Sequence, residues 1–362
     1  MANPLQRLPQ GHYQESSPGS GSAPVTGDGS GQPGLEIDYC LRCEFRNYLT
    51  KGFLDDLASD ALTGLSSNHK SIPSKYFYDE RGSQLFEEIC RLPEYYPTRT
   101  ELSILTNVCK ELMEPFEDGD LVELGSGANW KICRLIDAAR RGDGEGIRYI
   151  PVDVSESAML RAAWELVTRF SRLRVLGIVG DFTADLCRLP EGRRKLITFF
   201  GSTIGNFNHR EAHQVLRSVS DVMCPDDRFL IGLDMVKPVS ILESAYNDTA
   251  GVTAEFNKNM LIVLNRELNA TFDPDLFEHR AFFNEDEERI EMHLSATEEM
   301  TVEIRDLDLT VEFERGETIR TEISRKFTRE SAEQLFSAAD LAVECWFTDR
   351  RGWFSLVELV RK

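Results

Sequence analysis

Between residues 121 and 233 the chain alternates short apolar runs with amphipathic stretches. Residues 121–124 (LVEL), 149–153 (YIPVD), 175–180 (VLGIVG), 196–200 (LITFF) and 229–233 (FLIGL) read as strands. Helical periodicity separates them, around 132–139, 159–170 and 211–222. Continuous apolar runs divided by helices predict strands buried on both faces, hence a parallel, doubly wound α/β sheet. After Val236 the rhythm changes. Residues 252–268 predict a long helix, and from 279 to 327 apolar and polar positions alternate, as in 290–294 (IEMHL) and 319–323 (IRTEI). Alternation is the mark of antiparallel sheet with one wet face. A helix at 329–339 and two runs, 342–347 and 353–360, predict a terminal hairpin that closes the α/β sheet. Upstream, a helical pattern covers Phe45, Tyr48, Leu49, Leu54, Leu57 and Leu62. Residues 92–97 (LPEYYP) read as a rigid, proline-flanked loop before a helix at 98–113.

Composition narrows the function classes. The 362 residues suggest about two domains. The net charge of −20 disfavours a nucleic-acid or anionic-membrane partner. No apolar run approaches the ~18 residues of a membrane span, and the first residues lack a secretory pattern, so the expectation is a cytosolic, monomeric protein. Residues 16–34 are rich in Gly, Ser and Pro, which predicts a flexible tail over 1–35. The eight cysteines are expected to be thiols. Cys40-Leu41-Arg42-Cys43 has CxxC spacing, but no second pair completes a zinc set. His209 and His213 stand four apart without the HExxH pattern, so they are read as a solvated helix face and no metal is expected.

The strand ends carry candidate chemistry. Glu123-Leu-Gly125-Ser-Gly127 ends the first strand of the α/β unit, where glycines let the backbone turn and approach a ligand. Asp153 ends the next strand, a position that accepts hydrogen bonds from ribose hydroxyls. Asp181-Phe182 ends the third and suits a purine, the acid for its amine and the ring for packing. No third glycine follows Gly127, which argues against a pyrophosphate-bearing dinucleotide. S-adenosylmethionine has an adenosine and no phosphates, and an acidic lining suits its sulfonium.

From about Asn47 to its end the chain resembles the S-adenosylmethionine-dependent, histidine-specific methyltransferases of ergothioneine biosynthesis. The shared segments are 76–79 (YFYD), 91–101 (RLPEYYPTRTE), 121–127 (LVELGSG), 201–206 (GSTIGN), 250–254 (AGVTA) and 286–292 (DEERIEM). The resemblance implies a Rossmann-like class I methyltransferase with an inserted α+β substrate-binding domain. Residues 100–236 and 326–362 would bind S-adenosylmethionine; residues 36–99 and 237–325 would bind substrate. Matched position by position, the cofactor would lie on Gly125, Lys131, Asp153, Asp181 and Phe182. L-Histidine would meet Tyr95, Asn206, Tyr246, Glu322 and Ser324, with Met292 at the pocket border, and would leave as its Nα-trimethyl product. Ala128-Asn129-Trp130 depart from the family's small polar residues, while Lys131 keeps its spacing.

The residue types suit those roles. Asn206 and Tyr246 offer neutral donors to a carboxylate. Glu322 and Ser324 are two apart, so on a strand they share a face; one accepts from an imidazole N–H and the other serves the second ring nitrogen. Tyr78 is the candidate for steering the amine proton, with a water relay as the alternative, since a tyrosine is a poor base unless its pKa falls. Two other readings remain: an acceptor derived from tryptophan, against which stands an indole's single N–H and lack of a ring acceptor, and a non-catalytic protein that binds histidine or S-adenosylmethionine.

Overall fold

The computed structural model describes residues 36–40, 42–49, 52–127, 129–139 and 142–362, with the backbone alone at 36–40 and Ser157. The expected tail at 1–35, Leu41 of the CxxC run and Ala128 lie outside the described residues. The chain starts with a hairpin, β1 (Glu36–Cys40) and β2 (Cys43–Asn47). The helical pattern expected from Phe45 onward is therefore corrected. Cys43 and Phe45 are buried while Glu44 and Arg46 are not, a period of two. β2 adds in parallel to a later strand (174–179), and Phe45 packs where a side chain on Gly177 would stand 2.3 Å from its ring. The CxxC spacing falls at the hairpin turn, where Cys40 and Cys43 are register partners.

Three helices follow: α1 (Phe53–Leu65), α2 (Glu80–Ile89) and α3 (Tyr96–Met113). α3 begins two residues earlier than expected because Pro97 occupies its first turn, where the missing N–H costs nothing. Then come β3 (Asp120–Leu124), α4 (Trp130–Ala138), β4 (Arg148–Asp153), α5 (Glu156–Arg169), β5 (Arg174–Val179), β6 (Lys195–Phe199), α6 (His209–Val222) and β7 (Arg228–Asp234). β3 and β6 are buried at every position, as strands covered on both faces must be. α6 starts at a capping box in which Asn208 and Glu211 exchange 3.0 Å hydrogen bonds.

The expected insert is α7 (Val239–Ser244), α8 (Val252–Leu268) and five strands: β8 (Phe277–Asn284), β9 (Arg289–Ala296), β10 (Met300–Ile304), β11 (Leu309–Phe313) and β12 (Thr318–Arg325). α9 (Arg329–Ala338) leads to the closing hairpin of β13 (Leu341–Thr348) and β14 (Phe354–Arg361). Among the described residues the strands form a sheet ordered β1-β2-β5-β4-β3-β6-β7-β14-β13, a three-stranded sheet β12-β9-β8 and the pair β10-β11. β2 through β7 run parallel, while β14 is antiparallel to β7. The hairpin β1–β2, expected on the substrate side, instead belongs to the long sheet.

Apolar cores pack on both faces of that sheet, and a third joins α1, α2 and α8 to β8–β12. The chain direction across the sheet reverses at β3, which has β4 on one side and β6 on the other. Such a switch point opens a crevice at the carboxyl ends of the strands. The exit of β12 crosses to the same edge: Phe327 N donates to Asp234 O at 2.9 Å, and Val236 N to Phe327 O at 2.9 Å. The turn after β6 packs on that exit so closely that a Cβ on Gly205 would stand 2.7 Å from Arg325 O. These crossings place the end of β12 beside the ends of β6 and β7.

Candidate active site

The edge formed by β3, β4 and β5 gathers the expected cofactor residues. Gly125 turns the chain at φ +70°, and its N–H bonds Val152 O at 3.0 Å. A Cβ on Gly127 would meet nothing within 4 Å, so space lies open above the turn. Asp153 accepts from Ser155 N at 2.8 Å and from the Ser126 hydroxyl at 3.4 Å; burial pushes its carboxyl above the usual range. Asp181 is exposed and accepts from Thr183 N at 2.7 Å. Phe182 is half-buried, edge-on to Phe199 with centroids 5.4 Å apart. Lys131 turns inward: its Nζ is 2.6 Å from the buried Glu101 carboxylate and 5.1 Å from the centre of the Phe200 ring. Glu101 also takes the Gly201 N–H at 2.9 Å, tying α3, α4 and the end of β6 together.

A second group faces the crevice from the insert. Tyr78 follows the helical turn Ser74–Phe77, and Asp79 behind it caps α2 while binding Asn259 and Arg266 at 2.8 Å each. The Tyr78 ring stands edge-on to Phe86 and Phe256 at 5.5 and 5.8 Å. Tyr95, at the start of α3, is edge-on to Tyr246 at 6.3 Å. Although 42% of the Tyr78 surface is open, burial drives its hydroxyl pKa well up, and the negative field of Glu322 adds to this. Open surface around a deeply set hydroxyl describes a cleft; the raised pKa is the property that bears on proton transfer. Its direction is opposite to what a tyrosine base requires.

Glu322 is the acid of this cleft. It is half-buried and makes no hydrogen bond or ion pair with the described residues. Burial raises its pKa to about 7, partly offset by Lys326. Asn206, half-buried in the turn Thr203–Asn206, likewise has no hydrogen-bond partner for its amide among the described residues. Met292 is the register partner of Glu322, so the two side chains share a face of the sheet, and Met292 is buried.

Ser324, expected to serve the imidazole, also joins a hydrogen-bonded group behind the cleft. Its Oγ lies 2.9 Å from the Tyr246 hydroxyl and 2.8 Å from Lys326 Nζ, which also donates to Tyr246 at 3.0 Å. Lys326 pairs with Asp234 at 2.9 Å. Burial alone would lower the Lys326 pKa; Asp234 outweighs it and holds the ammonium charged above its usual range. Lys237 pairs with the same Asp234, and Tyr96 donates to it at 2.7 Å.

Residues 57–361 match the family described as histidine-specific methyltransferase, SAM-dependent. A Histidine N-alpha-methyltransferase of Mycobacterium tuberculosis (strain CDC 1551 / Oshkosh) is 44% identical over 300 residues, covering 83% of this chain and 93% of that protein. Another, from Mycolicibacterium smegmatis (strain ATCC 700084 / mc(2)155), is 43% identical over 317 residues, 87% of this chain and 98% of that one. Ergothioneine biosynthesis protein 1 of Neurospora crassa is 32% identical over 292 residues, 75% of this chain but 31% of its own length.

This chain belongs to the SAM-dependent, histidine-specific methyltransferase family. Its long sheet is the Rossmann-like class I arrangement, with α+β elements inserted between β7 and the closing hairpin. The crevice edge of this histidine-specific methyltransferase fits S-adenosylmethionine: the glycine turn leaves space, and a carboxylate and an aromatic stand at the next two strand ends. Among the described residues no group of three or more His, Cys, Asp or Glu could hold a metal ion, and no helix is long and apolar enough to cross a membrane. Sequence reading missed Glu101, Asp234, Lys237 and Lys326. Asp234 had a signal, since it ends the fifth strand of the α/β unit just as Asp153 ends the second. Lys326 had none, because two of its partners, Asp234 and Tyr246, lie 92 and 80 residues away in the chain.

Proposed function

We propose that this enzyme transfers three methyl groups in succession to the α-amino nitrogen of L-histidine, giving Nα,Nα,Nα-trimethylhistidine, the first step of ergothioneine biosynthesis. S-adenosylmethionine, held by the Gly125 turn, Asp153, Asp181 and Phe182, supplies the methyl group on a sulfonium. Lys131, bound to Glu101, shapes the floor of that site. Residues from about 53–99 and 237–325 form the substrate side, and 100–236 with 326–362 the cofactor side.

The observation that carries the reading is Glu322, an unpartnered carboxylate two residues from a hydroxyl pair backed by an ammonium. Glu322 accepts from the imidazole N–H. An apolar side chain would leave that carboxylate buried and unpaired, which gives histidine its advantage. Tyr246, in front of Lys326, and Asn206, from the turn after β6, receive the α-carboxylate. Ser324 accepts from Tyr246 and Lys326, which leaves its own hydroxyl hydrogen for the second nitrogen of the ring.

The reaction needs alignment and an amine free of its proton. Amino groups near neutrality are largely protonated, and a site close to a cation and away from bulk water favours the neutral form. With its pKa raised, Tyr78 works as a neutral hydroxyl that orients the amine or a water beside it, and water carries the proton out. Tyr95 closes the cleft from the loop. A cytosolic, monomeric enzyme with a small-molecule substrate and neither nucleic-acid nor membrane partners agrees with the acidic composition.

The test is mass spectrometry of the purified protein with S-adenosylmethionine and an equimolar mixture of the twenty amino acids. The expected product is methylated histidine alone, advancing to the trimethyl form. A methylated tryptophan or other amino acid would overturn the role given to Glu322. Cofactor binding without any methylated product would point to a binding protein.

A further inference from the structure

The turn after β6 carries Asn206, and it begins with two consecutive left-handed residues, Gly201 at φ +75° and Ser202 at φ +56°. Glycine adopts this conformation freely, whereas a residue with a Cβ does so against a steric cost. Of the five non-glycine residues with positive φ among the described residues, Ser202 alone is buried. The others are Asn269, Glu288, Asp308 and Asp340, all exposed. A conformation of this kind persists in the interior only where its surroundings over-determine it.

Two clamps do so here. The oxygens of the buried Glu101 carboxylate take the Gly201 N–H at 2.9 and 3.0 Å. Ser202 Oγ accepts from the backbone N–H of Asp234, at the end of β7, at 2.9 Å. The rest of the turn closes on itself: Gly205 N donates to Ser202 O at 2.8 Å, and the Thr203 hydroxyl to Phe200 O at 2.9 Å. The Asn206 amide takes part in none of these bonds. The direction of the whole turn is therefore set at its first two residues, and of these only Ser202 is held against its own preference.

We propose that Ser202 is a positioning residue for the substrate's carboxylate: clamped left-handed by the Asp234 N–H, it aims the turn so that the Asn206 amide meets the ligand already in place. The proposal rests on the role given to Asn206 above. A donor fixed beforehand spares the ligand the ordering cost of fixing it on binding. Without the clamp, residue 202 relaxes toward negative φ and redirects the residues that follow, Asn206 among them.

Steady-state kinetics at saturating S-adenosylmethionine, with histidine varied, test this on the wild type, Ser202→Ala, Ser202→Gly, Asn206→Ala and the two double variants. Ser202→Ala loses the clamp and keeps the steric cost, so the histidine KM should rise about tenfold, the scale of a hydrogen bond to a charged group. The kcat should fall less, as when binding common to ground and transition states is lost. Ser202→Gly loses clamp and cost together, so its KM should rise only about threefold. In the Asn206→Ala background either change at 202 should raise KM by less than about twofold, because both act through one contact. A residue that only supports the fold would add its effect in full. Cofactor affinity should stay within about twofold of wild type throughout. If Ser202→Ala does not fold, the glycine variant runs the same cycle. A folded Ser202→Ala, or in its place Ser202→Gly, with the wild-type histidine KM would overturn the proposal, as would effects that add in full. Failure of the functional reading would show separately, as a wild type that does not methylate histidine or an Asn206→Ala enzyme with unchanged KM, and would remove the premise.

Discussion

The cofactor edge and the substrate pole lie at the same end of the sheet and are built in opposite ways. At the cofactor edge the strand-end carboxylates are satisfied by their own turn or the adjacent strand: Asp153 by Ser155 and Ser126, Asp181 by Thr183. At the pole, Tyr78, Asn206, Tyr246 and Glu322 come from four separate segments, and an ion set spanning β7 and the exit of β12 holds part of them. The edge depends on backbone shape. The pole depends on charges that long-range packing forces together, with Glu322 left unpaired.

That contrast is broken most severely at Asp234. Replacing it with alanine leaves Lys326 and Lys237 buried without their shared counter-ion, which should cost about 3–5 kcal/mol of stability. Asp153→Ala should cost far less, since its carboxyl is already disfavoured by burial and its partners are a backbone N–H and a hydroxyl. Urea denaturation of both variants decides the matter. Equal shifts of the midpoint would show that the pole's charges are not its structural support.

Glu322 separates function from stability. Glu322→Gln should weaken histidine binding by about 1.5–3 kcal/mol, the range for a hydrogen bond to a charged group, while cofactor affinity holds. Stability should move the other way. The folded pKa of about 7 lies above the unfolded value, so the folded chain binds more protons between the ordinary carboxyl range and pH 7. Stability contributed by this group is present below that window and lost as pH rises through it. At about pH 8 the glutamine variant should therefore be more stable than wild type, and the two should converge near pH ~4. A variant less stable at the alkaline end would mean that Glu322 already has a partner in the free protein.

The same contrast explains how much was legible in the sequence. The apolar runs at 121–124 and 229–233 and the alternation at 319–323 state their neighbours' chemistry locally, so strands and order of elements could be read. β2 was missed because a five-residue alternation, Cys43 to Asn47, was merged with the helix that follows it. Gly125, Asp153 and Phe182 could be read because strand ends in such sheets face ligands. Glu322 and Ser324 were named through family resemblance, yet the group behind Ser324 was not. Only the folded chain brings Tyr246 and Lys326 within 2.9 and 2.8 Å of the Ser324 hydroxyl. No pattern along the chain encodes a meeting of residues 234, 246 and 326.

The smallest expected effects sharpen the account of the cofactor edge by setting two neighbouring glycines against each other. Gly125 has φ +70°, and a Cβ there would approach nothing closer than the Phe199 ring at 4.0 Å. Its substitution by alanine is thus a purely conformational cost, on the order of 1–2 kcal/mol. Gly127 has no positive φ, and a Cβ there would meet nothing within 4 Å. Gly127→Ala should leave the free protein's melting temperature unchanged. If the open space above this turn receives the cofactor, the same substitution should still weaken S-adenosylmethionine binding severalfold, and histidine should compete no differently. Melting curves and cofactor titrations on the two variants give a crossed outcome: Gly125→Ala loses stability, and Gly127→Ala loses affinity alone. A Gly127→Ala protein with full cofactor affinity would move the cofactor away from this turn, toward Asp153 and Phe182.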